Sequence, residues 1–196
     1  MAIGVSGLQV ELREVVLRDK PQEMLAVSPK GTVPVLCLSG GNLIEESLDI
    51  MMWALDQADP ASWLCPETGS FEEMMDLIAA CDSDFKHHLD RYKYASRYEG
   101  AIAVEHRTAA QSFLKKLESR LCVDTYLFGP RSSLADYAIM PFIRQFANTD
   151  LNWFENTSYS RVQGWLNQLL SSDIFTSVMN KYTQWNGEQE PTLFPA

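Results

Sequence analysis

Two short segments carry the residues best suited to chemistry: residues 28–36 (SPKGTVPVL) and residues 45–47 (EES). Ser47 stands at the start of a helical pattern, where a hydroxyl lies beside free backbone N–H groups and the positive end of the helix dipole. That position suits a bound carboxylate. The apolar run over residues 33–38 predicts a buried strand, and Pro34 stands at its start, where a strand tolerates proline. We predict that the Val33–Pro34 bond is cis, as is found at tight turns.

Two further elements must position these segments. Residues 40–42 (GGN) predict a hairpin turn, after which Leu43 and Ile44 begin a second strand. The apolar residues after Ser47 recur at helical spacing and predict a helix through Leu55. The loop at residues 28–34 and the start of this helix are therefore expected to flank one hairpin.

The two segments, in this order, resemble the glutathione transferase family, whose N-terminal domain is thioredoxin-like. The resemblance implies that Val33, the residue before Pro34, hydrogen-bonds the cysteinyl backbone of glutathione as one strand pairs with another. It also implies that Glu46 and Ser47 hold the γ-glutamyl end and that Lys30 faces the glycine end. These five residues form the predicted glutathione site. The alternative for the same residues is purely structural: a strand start and a helix N-cap.

The resemblance covers about residues 1–185 and implies an α+β fold: a truncated thioredoxin-like N-terminal domain followed by an all-α C-terminal domain. The predicted domains are an incomplete glutathione-binding domain at residues 1–58, a linker at 59–69, a helical domain at 70–185 and a loose tail at 186–196. The linker is predicted from Pro60 and Pro66, which interrupt any helical pattern.

Short elements are predicted before the loop. Residues 1–7 end in Gly7 and are typical of a last helical turn. Residues 9–15 alternate polar and apolar side chains and predict a half-buried strand. Residues 21–26 predict a short helix with Pro21 in its first turn.

Two Ser-x-x-acid motifs mark helix starts in the C-terminal half: Ser70 with Glu73, and Ser133 with Asp136. The family has a Ser-x-x-Asp box at the second position. Helices are predicted over residues 70–98, 102–121, 133–146, 159–170 and 173–182. The first two are long and joined by a short connection, so we expect them to lie antiparallel.

The resemblance also implies a catalytic Ser, Tyr or Cys on a turn after the family's first strand. No position here matches that turn, because Met1–Gly4 correspond to the end of the helix that follows it, so no catalytic residue is assigned. The family transfers glutathione to, or exchanges thiols with, small electrophiles. We expect weak or no activity, since one such donor is worth about 10²–10³-fold in rate. The alternatives are a non-catalytic binding or interaction protein with this fold, and a chain whose Met1 is an internal residue of a longer frame.

Cys37 is the thiol nearest the predicted glutathione site. The preferred interpretation is a small, buried and unreactive side chain in a strand, rather than a substitute nucleophile. The four cysteines (Cys37, Cys65, Cys81 and Cys122) form no CxxC motif, which favours reduced thiols in a cytoplasmic protein. No secretory signal pattern is visible at residues 1–10.

His87 and His88 are adjacent on a predicted helix and point about 100° apart, which is poor spacing for a metal pair. His106 is expected to be distant, so no metal site is predicted. The resemblance implies that the helix over residues 70–98 faces a second-substrate pocket that Phe85, Tyr92 and Tyr94 could line. Ordinary core packing is the alternative for Phe85 and Tyr92.

A net charge of −10 and a pI near 4.7 argue against nucleic-acid and anionic-membrane partners. The expected partners are glutathione, a small electrophile and a second copy of the chain. The resemblance places the absent first strand between residues 9–15 and 33–38, which would leave unpaired edges. We therefore expect residues 9–15 to pair directly with 33–38, to pair with another chain, or to be poorly ordered.

Overall fold

The fold is that of a computed structural model, which describes residues 1–195 of the 196-residue chain. Two compact units are present. Met1–Ala61 and Asp173–Ala196 make up the first unit, and Ser62–Ser172 make up the second. The C-terminal residues therefore group with the N-terminal segment, whereas the sequence suggested one helical domain over residues 70–185.

Within residues 1–195, the first unit combines four short helices with four short strands. Its helices are α1 (Ala2–Ser6), α2 (Gln22–Val27), α3 (Ser47–Gln57) and α10 (Asp173–Ser177), and its strands are β1 (Val10–Leu12), β2 (Leu36–Cys37), β3 (Leu43–Ile44) and β4 (Thr192–Phe194). Helix α1 ends at Gly7, whose φ of 71° is the left-handed conformation that favours glycine after a helix. Helix α1 packs against α3, and Ile50, Ala54 and Leu55 are the buried side chains of α3.

The partner of β1 is the C-terminal strand β4. The pairing is antiparallel, with Val10 opposite Phe194 and Leu12 opposite Thr192. The prediction of a loose tail over residues 186–196 is therefore wrong for β4, while Ala196 lies outside the described residues. None of the three expected fates of residues 9–15 anticipated this pairing. The edge of β1 is satisfied within the chain, because an unpaired row of backbone groups is costly.

The predicted hairpin is confirmed. Strands β2 and β3 pair antiparallel, with Leu36 opposite Ile44 and Cys37 opposite Leu43. Gly41 adopts a positive φ of 82° in the turn, and its N–H donates to the Leu38 carbonyl at 2.9 Å. The strand itself is shorter and less buried than predicted, since Cys37 is exposed on it. The β-branched run made the segment a candidate for a buried strand, but a two-stranded ribbon leaves one face open.

The second unit is helical. Its α-helices are α4 (Phe71–Ala80), α5 (Lys86–Lys93), α6 (Ala103–Leu121), α7 (Leu134–Thr149), α8 (Leu151–Glu155) and α9 (Ser160–Leu170). A π-helical turn at Cys81–Phe85 joins α4 to α5, and a 3₁₀ turn follows at Ala95–Arg97. Sequence periodicity predicted α4 and α5 as one helix. It missed the π-helical turn between them, in which the hydrogen bonds join residues i and i+5.

The antiparallel packing of α5 against α6 is confirmed by two contacts. The Phe85 ring, just before α5, lies 5.0 Å from the Phe113 ring, and the His88 ring in α5 lies 5.1 Å from the His106 ring. The higher number on one side meets the lower number on the other, which requires opposite directions. The core between these helices is apolar, with Phe85, Leu89, Leu114 and Leu117 buried.

Both predicted Ser-x-x-acid helix starts are present, in different environments. At α4 the Ser70 hydroxyl accepts from the Glu73 N–H at 3.1 Å, and Glu73 accepts from the Ser70 N–H at 2.8 Å. At α7 the Ser133 N–H and hydroxyl both donate to the Asp136 carboxylate, at 2.8 and 2.9 Å. The box at Ser70 is exposed, whereas Asp136 is fully buried.

Among residues 1–195, no helix combines the length and apolarity that crossing a membrane would need.

Candidate functional site

The loop at residues 28–34 has the conformation predicted for its central bond: Val33–Pro34 is cis. Gly31 adopts a positive φ of 60°, and a Cβ at this position would stand 3.0 Å from the Leu25 side chain. Both facts favour glycine here over any other residue. Val33 is 44% exposed and precedes β2, and its backbone forms no hydrogen bond within the described residues 1–195. An extended peptide could therefore reach its N–H and C=O groups.

A small polar network ties this loop to the segment before α3. The buried Ser28 hydroxyl donates to the Glu45 carboxylate at 2.6 Å. The Lys30 ammonium lies 3.7 Å from carboxylate oxygens of both Glu45 and Glu46. The structure therefore brings Lys30 and Glu46 together, as one site requires. The Lys30 ammonium already interacts with two carboxylates, so it should attract a ligand carboxylate less strongly.

Helix α3 begins at Ser47, with Glu46 as the N-cap residue. The Glu46 side chain does not bond to the helix backbone, and both Glu46 and Ser47 are exposed. Ser47 is therefore the first helical residue rather than the cap itself. An 11-residue helix with an uncapped start leaves backbone N–H donors available to an anion.

Lys20 is a residue that the sequence analysis missed. A Cβ at Gly31 would stand 3.6 Å from the Lys20 ammonium, so this second cation reaches the same loop. Within the described part of the chain, Lys20 makes no ion pair. A pocket of about 200 Å³ opens beside it, between residues 19–23 and 184–186, with Trp185 on its wall.

Cys37 and Cys81 lie in opposite environments, and that of Cys37 differs from the prediction. Cys37 is exposed, so the interpretation of a buried side chain is wrong. In the second unit, by contrast, burial raises the pKa of the Cys81 thiol, which keeps it protonated and inert.

The residues suggested for a second-substrate pocket lie in the second unit. Phe85 is fully buried between Phe113 and Phe146, with ring centroids 5.0 and 5.5 Å apart. Tyr92 is 8% exposed and packs on Phe146. Tyr94 is half-buried, with the Arg97 guanidinium 4.2 Å from its ring. The placement of Phe85 and Tyr92 fits the core alternative, and a pocket role stays a prediction.

The chain has three histidines, and the structure brings all of them together. One ring nitrogen from each of His87, His88 and His106 lies within 4.8 Å of the others. The Nδ1 atoms of His88 and His106 are 2.8 Å apart. The prediction that His106 is distant is therefore wrong. The predicted antiparallel pairing of residues 70–98 with 102–121 places the start of α6 beside α5, but it does not fix which faces of the two helices meet.

Comparison with known families agrees with this fold. A family model for the glutathione S-transferase N-terminal domain matches residues 1–63, and one for the glutathione S-transferase C-terminal domain matches residues 77–173. The chain belongs to the glutathione S-transferase family. It has the family's fold, with a thioredoxin-like N-terminal domain and a helical C-terminal domain.

Curated relatives include two mammalian proteins. Glutathione S-transferase omega-1 of Rattus norvegicus is 28% identical over 153 residues, and that of Mus musculus is 26% identical over 152. These matches cover 78% and 77% of this chain. The matched part spans 63% and 62% of the relatives' own lengths, so it corresponds to less than two thirds of each.

Solved structures show the same fold. A ternary complex of BphK, a bacterial glutathione S-transferase, has a TM-score of 0.73 at 22% identity, covering 90% of this chain and 88% of its own. A sphingomonad glutathione S-transferase complexed with glutathione has a TM-score of 0.70 at 21% identity, covering 89% and 88%.

Proposed function

We propose that this chain binds glutathione at the loop of residues 28–34 and the start of α3. The observation that carries the proposal is the open N-terminus of α3, whose first residue Ser47 is exposed beside the Lys30–Glu46 pair. A γ-glutamyl carboxylate fits this helix end, because its backbone N–H groups and the Ser47 hydroxyl are donors. The exposed backbone of Val33 suits the cysteinyl unit, as a strand suits a peptide.

The charges around the loop support the same orientation. Glutathione carries two carboxylates and one ammonium group. Glu46 is an exposed acceptor for the ammonium, next to the helix end that takes the neighbouring carboxylate. The glycine carboxylate at the other end needs a cation. Lys30 lies 3.7 Å from Glu46, at the γ-glutamyl end, whereas Lys20 reaches the loop at Gly31 and makes no ion pair within residues 1–195, so Lys20 is the better placed cation.

Calorimetric titration with glutathione tests this site. We expect Ser47→Ala to weaken binding about 10–100-fold, since a hydrogen bond to a charged group is worth about 1.5–3 kcal/mol. Lys20→Gln and Lys30→Gln separately test which lysine meets the glycine carboxylate. Ser39→Ala in the hairpin and Lys116→Gln on α6 are matched controls and should bind as the parent chain does. Equal affinity of the parent and Ser47→Ala would contradict the site.

We further propose that transfer of glutathione to an electrophile by this chain is weak or absent. Cys37 is the exposed thiol on the hairpin beside the loop, and no residue between 1 and 195 is assigned as the group that ionises the glutathione thiol. Conjugation to a general aromatic electrophile should therefore proceed no faster than the uncatalysed reaction. Binding without turnover would favour the non-catalytic alternative. Turnover near 1–10³ s⁻¹, lost in Cys37→Ala, would show instead that Cys37 acts in catalysis.

A homodimer and a cytoplasmic location complete the proposal. Exposed apolar side chains occur at the starts of α4 and α6, where Phe71, Ile102 and Val104 are 40%, 54% and 57% exposed. Such side chains suit an interface with a second copy. Sedimentation at micromolar concentration should show a dimer, and Ile102→Glu with Val104→Glu should dissociate it. A monomeric parent chain would refute the dimer.

A further inference from the structure

The second unit contains a cluster of ligand-type side chains that the proposed glutathione site does not use. His87 and His88 lie in α5, and His106 lies in α6. One ring nitrogen from each histidine lies within 4.8 Å of the other two. We call these three residues the histidine cluster. We propose that the histidine cluster binds one divalent transition-metal ion of borderline softness, of which Zn²⁺ is the type, between α5 and α6.

The geometry is close to what three imidazoles need around one ion. A tetrahedral Zn²⁺ with nitrogen ligands at about 2.0–2.1 Å holds those nitrogens about 3.3 Å apart. The His88 and His106 Nδ1 atoms are 2.8 Å apart, and the widest separation in the cluster is within 4.8 Å. Side-chain rotations at the surface can close this difference, because His87 is exposed and the other two rings are half-buried.

The backbone explains why adjacent histidines converge. The side chains of residues 87 and 88 point about 100° apart on a regular helix, so these two histidines by themselves are poorly placed to share one metal ion. His106 approaches from the antiparallel helix and lies near both, with ring centroids 6.0 Å from His87 and 5.1 Å from His88. The π-helical turn at Cys81–Phe85 directly precedes α5 and shifts the phase of its side chains.

The charged groups facing the cluster act in both directions. The Asp84 carboxylate lies 3.8 Å from His88 Nε2 and can accept from a metal-bound imidazole or occupy an open position.

Arg91 opposes metal binding at His87. Its guanidinium donates to His87 Nδ1 at 3.0 Å, and its charge repels a cation. The same guanidinium lies 4.5 Å from the Tyr98 ring, so it has a second contact to keep when His87 turns to an ion. Removing the Arg91 charge should therefore strengthen metal binding, whereas removing a histidine should weaken it. If the three histidines had only a structural role, neither change would alter the affinity of the chain for Zn²⁺.

Competing thiols must be separated from the histidines in the test. Cys37, Cys65 and Cys122 are exposed and could hold Zn²⁺ by themselves, whereas Cys81 is buried. A full-length, tag-free chain in which all three exposed cysteines are serine is therefore the matched control. Competition against a chromogenic chelator then gives the Zn²⁺ affinity and the number of ions per chain.

We expect one Zn²⁺ per chain in the parent and in the triple-serine variant. His88→Gln and His106→Gln should each weaken binding at least about 100-fold, because loss of an outer partner alone costs about 10–100-fold. Arg91→Gln should strengthen binding about 10-fold, in line with one nearby charge removed. Circular dichroism and the melting temperature show whether each variant folds. Should a histidine variant not fold, electron paramagnetic resonance of Cu²⁺ on the parent chain counts the coordinating imidazole nitrogens.

Four outcomes would overturn the proposal. They are unchanged affinity in both histidine variants, loss of binding in the triple-serine variant, half an ion per chain, and a Cu²⁺ spectrum with fewer than three imidazole nitrogens. Half an ion per chain would assign the metal to a contact between two copies rather than to α5 and α6 of one chain.

Discussion

Asp136 receives four hydrogen bonds at a position from which water is excluded. Its Oδ1 atom accepts from the Leu127 N–H at 3.0 Å and from the Trp165 indole at 2.8 Å. Its Oδ2 atom accepts from the Ser133 N–H and hydroxyl. Burial raises the pKa of this carboxyl, and the four donors offset part of that rise. Three of the four donors are N–H groups, which cannot accept a hydrogen bond, so the site requires an acceptor at both carboxyl oxygens.

Asp136→Asn should therefore destabilise the second unit strongly. An amide replaces one oxygen with an NH₂ group. In place of Oδ1 it leaves the Leu127 and Trp165 N–H groups without an acceptor, and in place of Oδ2 it leaves at least the Ser133 N–H without one. Each buried unsatisfied donor costs about 1–3 kcal/mol, so we expect a loss of about 1–5 kcal/mol in the free energy of unfolding. Urea denaturation followed by circular dichroism of the helices measures it.

The exposed helix start at Ser70 supplies the matched control for that measurement. Glu73→Gln keeps an acceptor for the Ser70 N–H and faces solvent, so its cost should stay below about 1 kcal/mol. Equal losses in the two variants would show that burial of the Asp136 network does not set its energetic weight.

Thiol reactivity should divide the four cysteines three to one. Cys37, Cys65 and Cys122 are exposed, while Cys81 is buried and its pKa is raised by burial. Because the thiolate is the reactive form, native protein treated with iodoacetamide at pH 8 should gain three modifications. The fourth should appear only in denaturant. Peptide mapping that finds Cys81 modified as fast as Cys37 would contradict the buried environment of α4 and the π-helical turn.

At the scale of elements, local patterns predicted the helices well and the strand partner poorly. Capping motifs at Ser70 and Ser133 are satisfied by residues three positions away, so the sequence alone placed the starts of α4 and α7. The pairing of β1 with β4 joins residues far apart in the sequence, as Val10 opposite Phe194 shows. No local periodicity records such a contact, and three apolar or polar residues after Pro191 were too few to predict a strand.

Phe194→Ala tests whether β4 holds the edge of β1. The Phe194 ring reaches within 3.8 Å of where a Gly4 Cβ would stand, so it contacts α1 as well as pairing with Val10. Loss of this half-buried ring should cost about 1 kcal/mol and speed amide exchange at Val10 and Leu12 about fivefold.

Leu193 provides the matched control in the same strand. It is 49% exposed and points to the opposite face, because successive strand residues alternate. Leu193→Ala should leave amide exchange in β1 almost unchanged. Equal acceleration by the two substitutions would mean that the Phe194 ring does not stabilise the strand pair.

The approach of the loop at residues 28–34 to the segment before α3 was predictable, because it depends on residue order along the chain. Lys30 and Glu46 lie in two short segments joined by a hairpin, and their charged groups come within 3.7 Å. Lys20 was missed because its approach to Gly31 depends on how the chain turns before α2. The histidine cluster was missed because it needs the relative phase of two helices, which the π-helical turn alters.

At the scale of the whole molecule, overall charge does not describe the sites. The chain carries 26 acidic and 16 basic side chains, for a net charge of −10. Two lysines nevertheless reach the loop at residues 28–34, and three imidazoles meet between α5 and α6. Local arrangement therefore decides what each site can bind, while net charge bears on non-specific contacts.

Removal of residues 178–196 should affect the two units differently. The first unit is built from both ends of the chain, and β4 is the only strand that pairs with β1 among residues 1–195. Without these residues, β1 has an unpaired edge. The hydrogen bond of 2.8 Å from the backbone N–H of Trp185 to the Glu14 carbonyl is also lost. The second unit has its own apolar core, its own helix caps and the buried Asp136 network.

Limited proteolysis followed by mass spectrometry should therefore show early cleavage within residues 8–40 of the shortened chain and a resistant fragment spanning about residues 62–172. The full-length chain is the control and should resist at both places, with Phe194→Ala intermediate at residues 8–40. If the shortened chain is cut at equal rates in both units, or resists as the full-length chain does, then β4 is not what keeps the N-terminal segment folded.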